Sequence, residues 1–169
     1  MPPSGVGGTP HLAAELFKSV AGINILHVPY KGQAQALSEL IGGQIQVMFP
    51  NAASVAPHIK PGRVRALAVT TAEPSALAPG LPTVASAGLP GYESVVMFGV
   101  FVPAKTPGAI VERLNRETVK VVRNPEVKEK MFNTGVDAAG TSSAEFAALI
   151  KADVARLNKL IKEAGIRAE

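Results

Sequence analysis

Cysteine and tryptophan are both absent from this 169-residue chain. The first absence excludes disulfides, thiolate metal sites and cysteine nucleophiles, while leaving the compartment open. The second, with aromatic residues at only 5%, removes a stacking platform for nucleobases. Nor is there any run approaching the roughly 18 uncharged apolar residues of a membrane-spanning helix, and the amino terminus lacks the basic and apolar regions of a signal peptide. Charge is scarce in the first part: residues 1–104 hold five basic and four acidic side chains, against twelve and nine in residues 105–169. In that second part both signs are interspersed at helical spacing, as in Glu112, Arg113, Arg116, Glu117 and Lys120. This is the pattern of solvated helix faces, so nucleic acid is not an expected partner despite the net charge of +4.

What the chain does have is apolar residues, at 47%, enough for one ordinary domain or two small lobes. Their order alternates at βα spacing. The spacing predicts helices from Pro10 to a stop at Gly22, over Gln33–Ile41, and from Ala52 to Ile59 under an Asn51 cap. Between them Ile25–Val28, Ile45–Phe49 and Val64–Val69 read as short strands, the first of them buried. Such alternation argues for a parallel α/β sheet. Four prolines between Thr70 and Tyr92 then make a long connection with one short helix, which Thr83 caps. The nine-residue apolar run Ser94–Val102 is the natural crossing between lobes. Beyond it come helices opened by Thr106-Pro107 and Asn124-Pro125, a short strand at Val136–Ala139, and a long helix begun by the capping box Ser142/Glu145. The stripe Phe146, Leu149, Ile150, Val154, Leu157, Leu160 and Ile161 on that helix needs a large apolar partner.

The candidate site opens the chain. Ser4-Gly5-Val6-Gly7-Gly8-Thr9-Pro10 runs a glycine-rich loop into a helix start, with Thr9 as the expected cap and Pro10 as the first helical residue. A helix N-terminus offers unpaired N–H groups and the positive end of the macrodipole, and side-chain-free residues let an anion approach the backbone. A phosphate loop of the Walker type would need Gly-Lys-Ser/Thr, and no lysine precedes Lys18. The dinucleotide fingerprint would need a third glycine where Pro10 stands. An anion smaller than a nucleotide is therefore preferred, and a merely capped amino-terminal turn is the competing reading.

Catalysis is not expected. Ser4 and Ser54 have no Gly-x-Ser-x-Gly elbow around them, and nothing meets the test for an activated nucleophile. His11, His27 and His58 lack metal-ligand spacing, and His27 in an apolar strand reads as a packed core residue. No metal and no cofactor is predicted.

Seven segments follow one another in register: Ser-Gly-Val-Gly-Gly-Thr-Pro-His-Leu from Ser4, His-Val-Pro-Tyr-Lys-Gly from His27, Gly-Gln-Ile-Gln-Val-Met-Phe from Gly43, Val-Arg-Ala-Leu-Ala-Val-Thr from Val64, Leu-Pro-Thr-Val from Leu81, Ala-Gly-Leu-Pro-Gly-Tyr from Ala87 and Phe-Gly-Val-Phe-Val-Pro-Ala-Lys-Thr-Pro from Phe98. Together they resemble the Bug-type (TctC-like) solute-binding proteins of tripartite tricarboxylate transporters. The resemblance implies a periplasmic-binding-protein-like (type II) α/β fold of two lobes that closes over a small carboxylate or dicarboxylate and delivers it to the transporter's membrane components. It implies a periplasmic location, although no signal peptide is visible here, and a chain lacking the family's N-terminal portion. Residues 1–96 are then one ligand-binding lobe, 97–102 the interlobe strand, and 103–169 an incomplete second lobe. The resemblance further implies that Ser4, Gly5, Val6, Gly7, Gly8 and Thr9, the turn Tyr30-Lys31-Gly32, and Asn51 face the cleft. For each of the last two the plain alternative is an exposed turn or a helix cap. Met97, Ser86 and Pro74 depart from residues common in the family. With half a cleft, impaired binding and a homodimer through the incomplete lobe are expected. The effector-sensing domain of a transcription regulator and a folded remnant that binds nothing remain alternatives.

Overall fold

The computed structural model of this chain describes residues 8–163. They fall into two compact units, 8–96 with 157–163, and 97–156.

Three helices occupy the first unit: α1 (Thr9–Ala21), α2 (Gln33–Ile41) and α3 (Ala52–Ile59). Helix α1 ends at Gly22, whose φ of 64° is a left-handed cap that costs glycine little. Its start differs from expectation. Gly8, extended at φ −70° and ψ 162°, is the N-cap, and its carbonyl accepts the Leu12 N–H at 3.0 Å. Thr9 is thereby the first helical residue instead of the cap, no side chain caps the helix, and Pro10 moves one place inward. Helix α3 begins as expected: the Asn51 side chain accepts from the Ser54 N–H at 2.9 Å. Helix α2 packs against α3, and Ala36 and Leu37 of α2 are buried.

The predicted sheet is not formed among the described residues. Val69 and Thr83 make one isolated parallel bridge, in which the Val69 N–H donates to Pro82 and the Val84 N–H donates to Val69, both at 2.9 Å. The Ser94 N–H adds a bond to Thr70 at 2.8 Å. Elsewhere the segments expected as strands, 25–28, 45–49, 64–68, 94–102 and 136–139, have no ladder. A strand is stabilised only by a partner that takes up its backbone groups and covers one face. Without one, side chains expected inside stay in water: Leu26 is 86% exposed and Leu67 64%. Thr83 likewise opens a single turn, not a short helix, its hydroxyl accepting from the Ser86 N–H at 3.0 Å.

The core of the first unit gathers on Tyr92, which is 1% exposed and donates its hydroxyl proton to the Ala13 carbonyl of α1 at 3.0 Å. Phe17 meets the Tyr92 ring edge-on at 6.0 Å and lies 5.6 Å from Phe49. One aromatic cluster thus joins α1 to the segments leading to Asn51 and following the prolines.

The second unit holds α4 (Gly108–Arg123), α5 (Pro125–Asn133) and most of α6 (Ser143–Glu163). Pro107, not Thr106, is the N-cap of α4 and gives no side-chain bond. Asn124 caps α5, accepting from the Glu126 N–H at 2.9 Å, and the capping box forms as read, Glu145 accepting from the Ser142 N–H at 2.8 Å. Segment 97–102 lies over α6 through Phe101 and Phe146, with ring centroids 5.6 Å apart, yet Phe98, Val100 and Phe101 each remain more than two-thirds exposed. Among the described residues no helix is long and apolar enough to cross a membrane.

Candidate functional site

Three helix starts carry the residues that the sequence singles out. Gly8 caps α1 and Thr9 follows it, exposed. Tyr30 is half-buried and Lys31 exposed, and both precede Gly32, the N-cap of α2, which has no side-chain bond. Asn51 caps α3. Ser4, Gly5, Val6 and Gly7 lie outside the described residues. The starts of α2 and α3 follow segments 25–28 and 45–49, so the positive ends of these two short helices lie at the ends of segments that the sequence reads as strands. No hydrogen bond or ion pair joins Gly8–Thr9, Tyr30–Gly32 and Asn51 to one another among the described residues.

Helix α1 nevertheless touches both neighbouring approaches. His11 in its first turn stacks on His27, three residues before Tyr30, with centroids 4.0 Å apart, and Phe17 reaches Phe49, two before Asn51. Below His11 the helix continues the polar row: Glu15 lies 3.6 Å from His11 Nε2 and accepts from Lys18 Nζ at 2.8 Å. His11 and Glu15 are both buried. His27 is held below the ordinary histidine value, first by burial and next by the charge of His11, with Glu15 opposing and Lys18 adding. His27 is therefore one member of a polar stack, not an isolated core histidine. The spacing of His11, Glu15 and Lys18 on one helix face is legible in the sequence, whereas the link to His27 is not. Among the described residues no group of three or more His, Cys, Asp or Glu side chains could hold a metal ion.

The profile of the tripartite tricarboxylate transporter family receptor matches residues 2–166. The chain belongs to that family. A UPF0065 protein from the tcbD-tcbE intergenic region of Pseudomonas sp. strain P51 is 39% identical over 98% of this chain and 49% of its own length. Among solved structures, R. palustris Rpa4515 with adipate is 38% identical with a TM-score of 0.78, covering 95% of this chain and 54% of that one. The periplasmic binding protein BugD is 28% identical with a TM-score of 0.77, covering 98% and 56%. These likenesses place the chain in the periplasmic-binding-protein-like fold class, of which it covers about half. The chain spans about half the length of most curated relatives that it matches, and 94% of one of them. Of these two neighbours, Rpa4515 is the one holding adipate, and BugD is a periplasmic binding protein.

Proposed function

We propose that this TctC receptor chain binds a small mono- or dicarboxylate for delivery to the membrane components of a tripartite tricarboxylate transporter, and does so in the periplasm. The observation that carries this reading is the 38% identity and TM-score of 0.78 to a structure holding adipate, over nearly the whole chain. The three helix starts supply suitable chemistry. The reading assigns the anion to the stretch Ser4 to Thr9, of which Gly8 and the exposed Thr9 open α1. Tyr30, Lys31 and Gly32 line the next wall, and Asn51 the third. The reading divides the chain at 1–96, 97–102 and 103–169. The two compact units support a break near residue 97, while the end of α6 groups with the first unit.

Each charge-assisted hydrogen bond is worth roughly 1.5–3 kcal/mol, against an association cost of about 4 kcal/mol or more. A site supplied by one lobe alone therefore binds weakly, with Kd on the order of millimolar. Calorimetry with adipate tests this, using Gly7→Val and Thr9→Ala as controls. Weak heat lost in both variants is the expected result, and micromolar binding indifferent to both would place the site elsewhere. The reading also has a second copy covering the incomplete lobe, where Leu149 and Val154 of the α6 stripe are exposed. A monodisperse monomer by light scattering at high concentration would remove that part.

A further inference from the structure

We propose that the second unit carries a docking groove, between α4 and the 140–145 segment, for an extended acidic segment of a partner protein. The groove has a volume of about 390 Å³ and is lined on the α4 side by Arg116, Lys120 and Arg123, and on the other by Gly140, Ser142 and Glu145. In the linear sequence those cations alternate with Glu112 and Glu117 and look like an ordinary solvated face. Folding turns three of them toward one concavity.

The far wall is fixed in place. Asn115 donates from Nδ2 to the Thr141 carbonyl at 3.0 Å, tying the segment to α4. Gly140 sits at φ 64°, where a Cβ would meet Val122 Cγ2 at 3.3 Å and Arg123 Nε at 3.5 Å, so the backbone passes close beside the guanidinium. The one carboxylate in the lining, Glu145, is already committed: it accepts from the Ser142 N–H and hydroxyl, each at 2.8 Å, to start α6. Lys120 shares Glu117 on the solvent side at 3.0 Å. Arg116 and Arg123 have no ion-pair partner within the described residues. The lining thus holds two guanidinium groups outside any ion pair, with Arg123 near enough to the Glu145 carboxylate for its charge to be felt there.

Their spacing selects the occupant. Seven residues of α-helix separate the two arginines by about 10 Å along the axis. An extended peptide rises about 3.3 Å per residue, so carboxylates three residues apart match both guanidinium forks, and an intervening residue rests on Val119 and Lys120. A short dicarboxylate satisfies one fork at a time. This inference stands apart from the carboxylate site of the first unit.

The test is fluorescence anisotropy of a labelled peptide with glutamates at every third position, added to the full chain at low ionic strength. Binding is expected to weaken about tenfold or more in Arg116→Glu/Arg123→Glu. It should hold within about twofold in Arg63→Glu/Arg65→Glu, which changes net charge equally at exposed positions of the first unit. Arg116→Gln/Arg123→Gln, checked for helicity by circular dichroism, guards against a folding defect and should also weaken binding. Absent binding, equal loss in the two charge-reversal pairs, or displacement by adipate at matched carboxylate concentration would each overturn the proposal, the last by making the groove a small-anion pocket.

Discussion

The imidazoles of His11 and His27 stack 4.0 Å apart with their planes 12° from parallel. Two imidazolium ions at that distance repel, and burial already disfavours the charged form of His27, whose pKa is lowered from 6.5. In the unfolded chain His27 takes up a proton near that value, while the folded chain refuses it until a lower pH. The stabilisation from neutral His27 is therefore fully present above about pH 6.5 and is lost as pH falls through the folded value. Urea unfolding across this range should show stability declining on acidification. His27→Gln should flatten the decline, and an unchanged slope would assign it to other groups.

Tyr92→Phe keeps the buried ring and removes the bond from its hydroxyl to the Ala13 carbonyl. The loss should be about 1 kcal/mol. Tyr92→Ala should cost more, about 3–5 kcal/mol, because the ring fills the junction of α1 and the proline-rich connection. Chemical denaturation of both variants checks the ratio. Similar costs would mean that the hydroxyl, not the ring, holds the first unit together.

Helix starts and stops were legible because their causes are local. Asn51 and Asn124 reach the N–H groups two or three residues on, Ser142 and Glu145 satisfy each other, and Gly22 takes a left-handed conformation that L side chains avoid. Thr9 and Thr106 misled for an equally local reason: a threonine before a proline suggests a cap, but the turn begins one residue earlier at Gly8 and one later at Pro107. The strands were a different problem. Apolar runs such as 25–28 and 64–69 state what the chain can do, while a ladder depends on residues far away, and among the described residues Val69 reaches no more than an isolated bridge to Thr83. The basic groove was hidden likewise, since α4 alone looks solvated until the 140–145 segment closes on it.

Gly99 packs against the far end of the Phe146 ring, and a Cβ at Gly99 would run into it. Phe146 also meets Phe101, so it cannot swing away without loosening segment 97–102 from α6. Gly99→Val should destabilise the second unit by about 1–3 kcal/mol. The double variant Gly99→Val/Phe146→Ala should recover part of that loss, because the clash is removed. Thermal unfolding measures both, and strict additivity would show that the two positions do not meet.

Asn51 separates capping from ligand contact most cleanly. Its side chain accepts the Ser54 N–H at 2.9 Å, and the Ser54 hydroxyl returns a bond to the Asn51 carbonyl at the same distance. Asn51→Ala should lower stability by about 1 kcal/mol through the lost cap. Asn51→Asp keeps the acceptor, and its negative charge is favourable at the N-terminus of α3, so stability should be unchanged or slightly higher. A carboxylate ligand beside that position would meet a second negative charge. At a separation of about 6 Å and an effective dielectric between water and a protein surface, the repulsion is roughly 1–3 kcal/mol, or about fivefold or more in Kd. Calorimetry with adipate should therefore show Asn51→Asp folded but weakened in binding. Undiminished affinity in that variant would leave Asn51 a cap alone and confine the proposed site to the starts of α1 and α2.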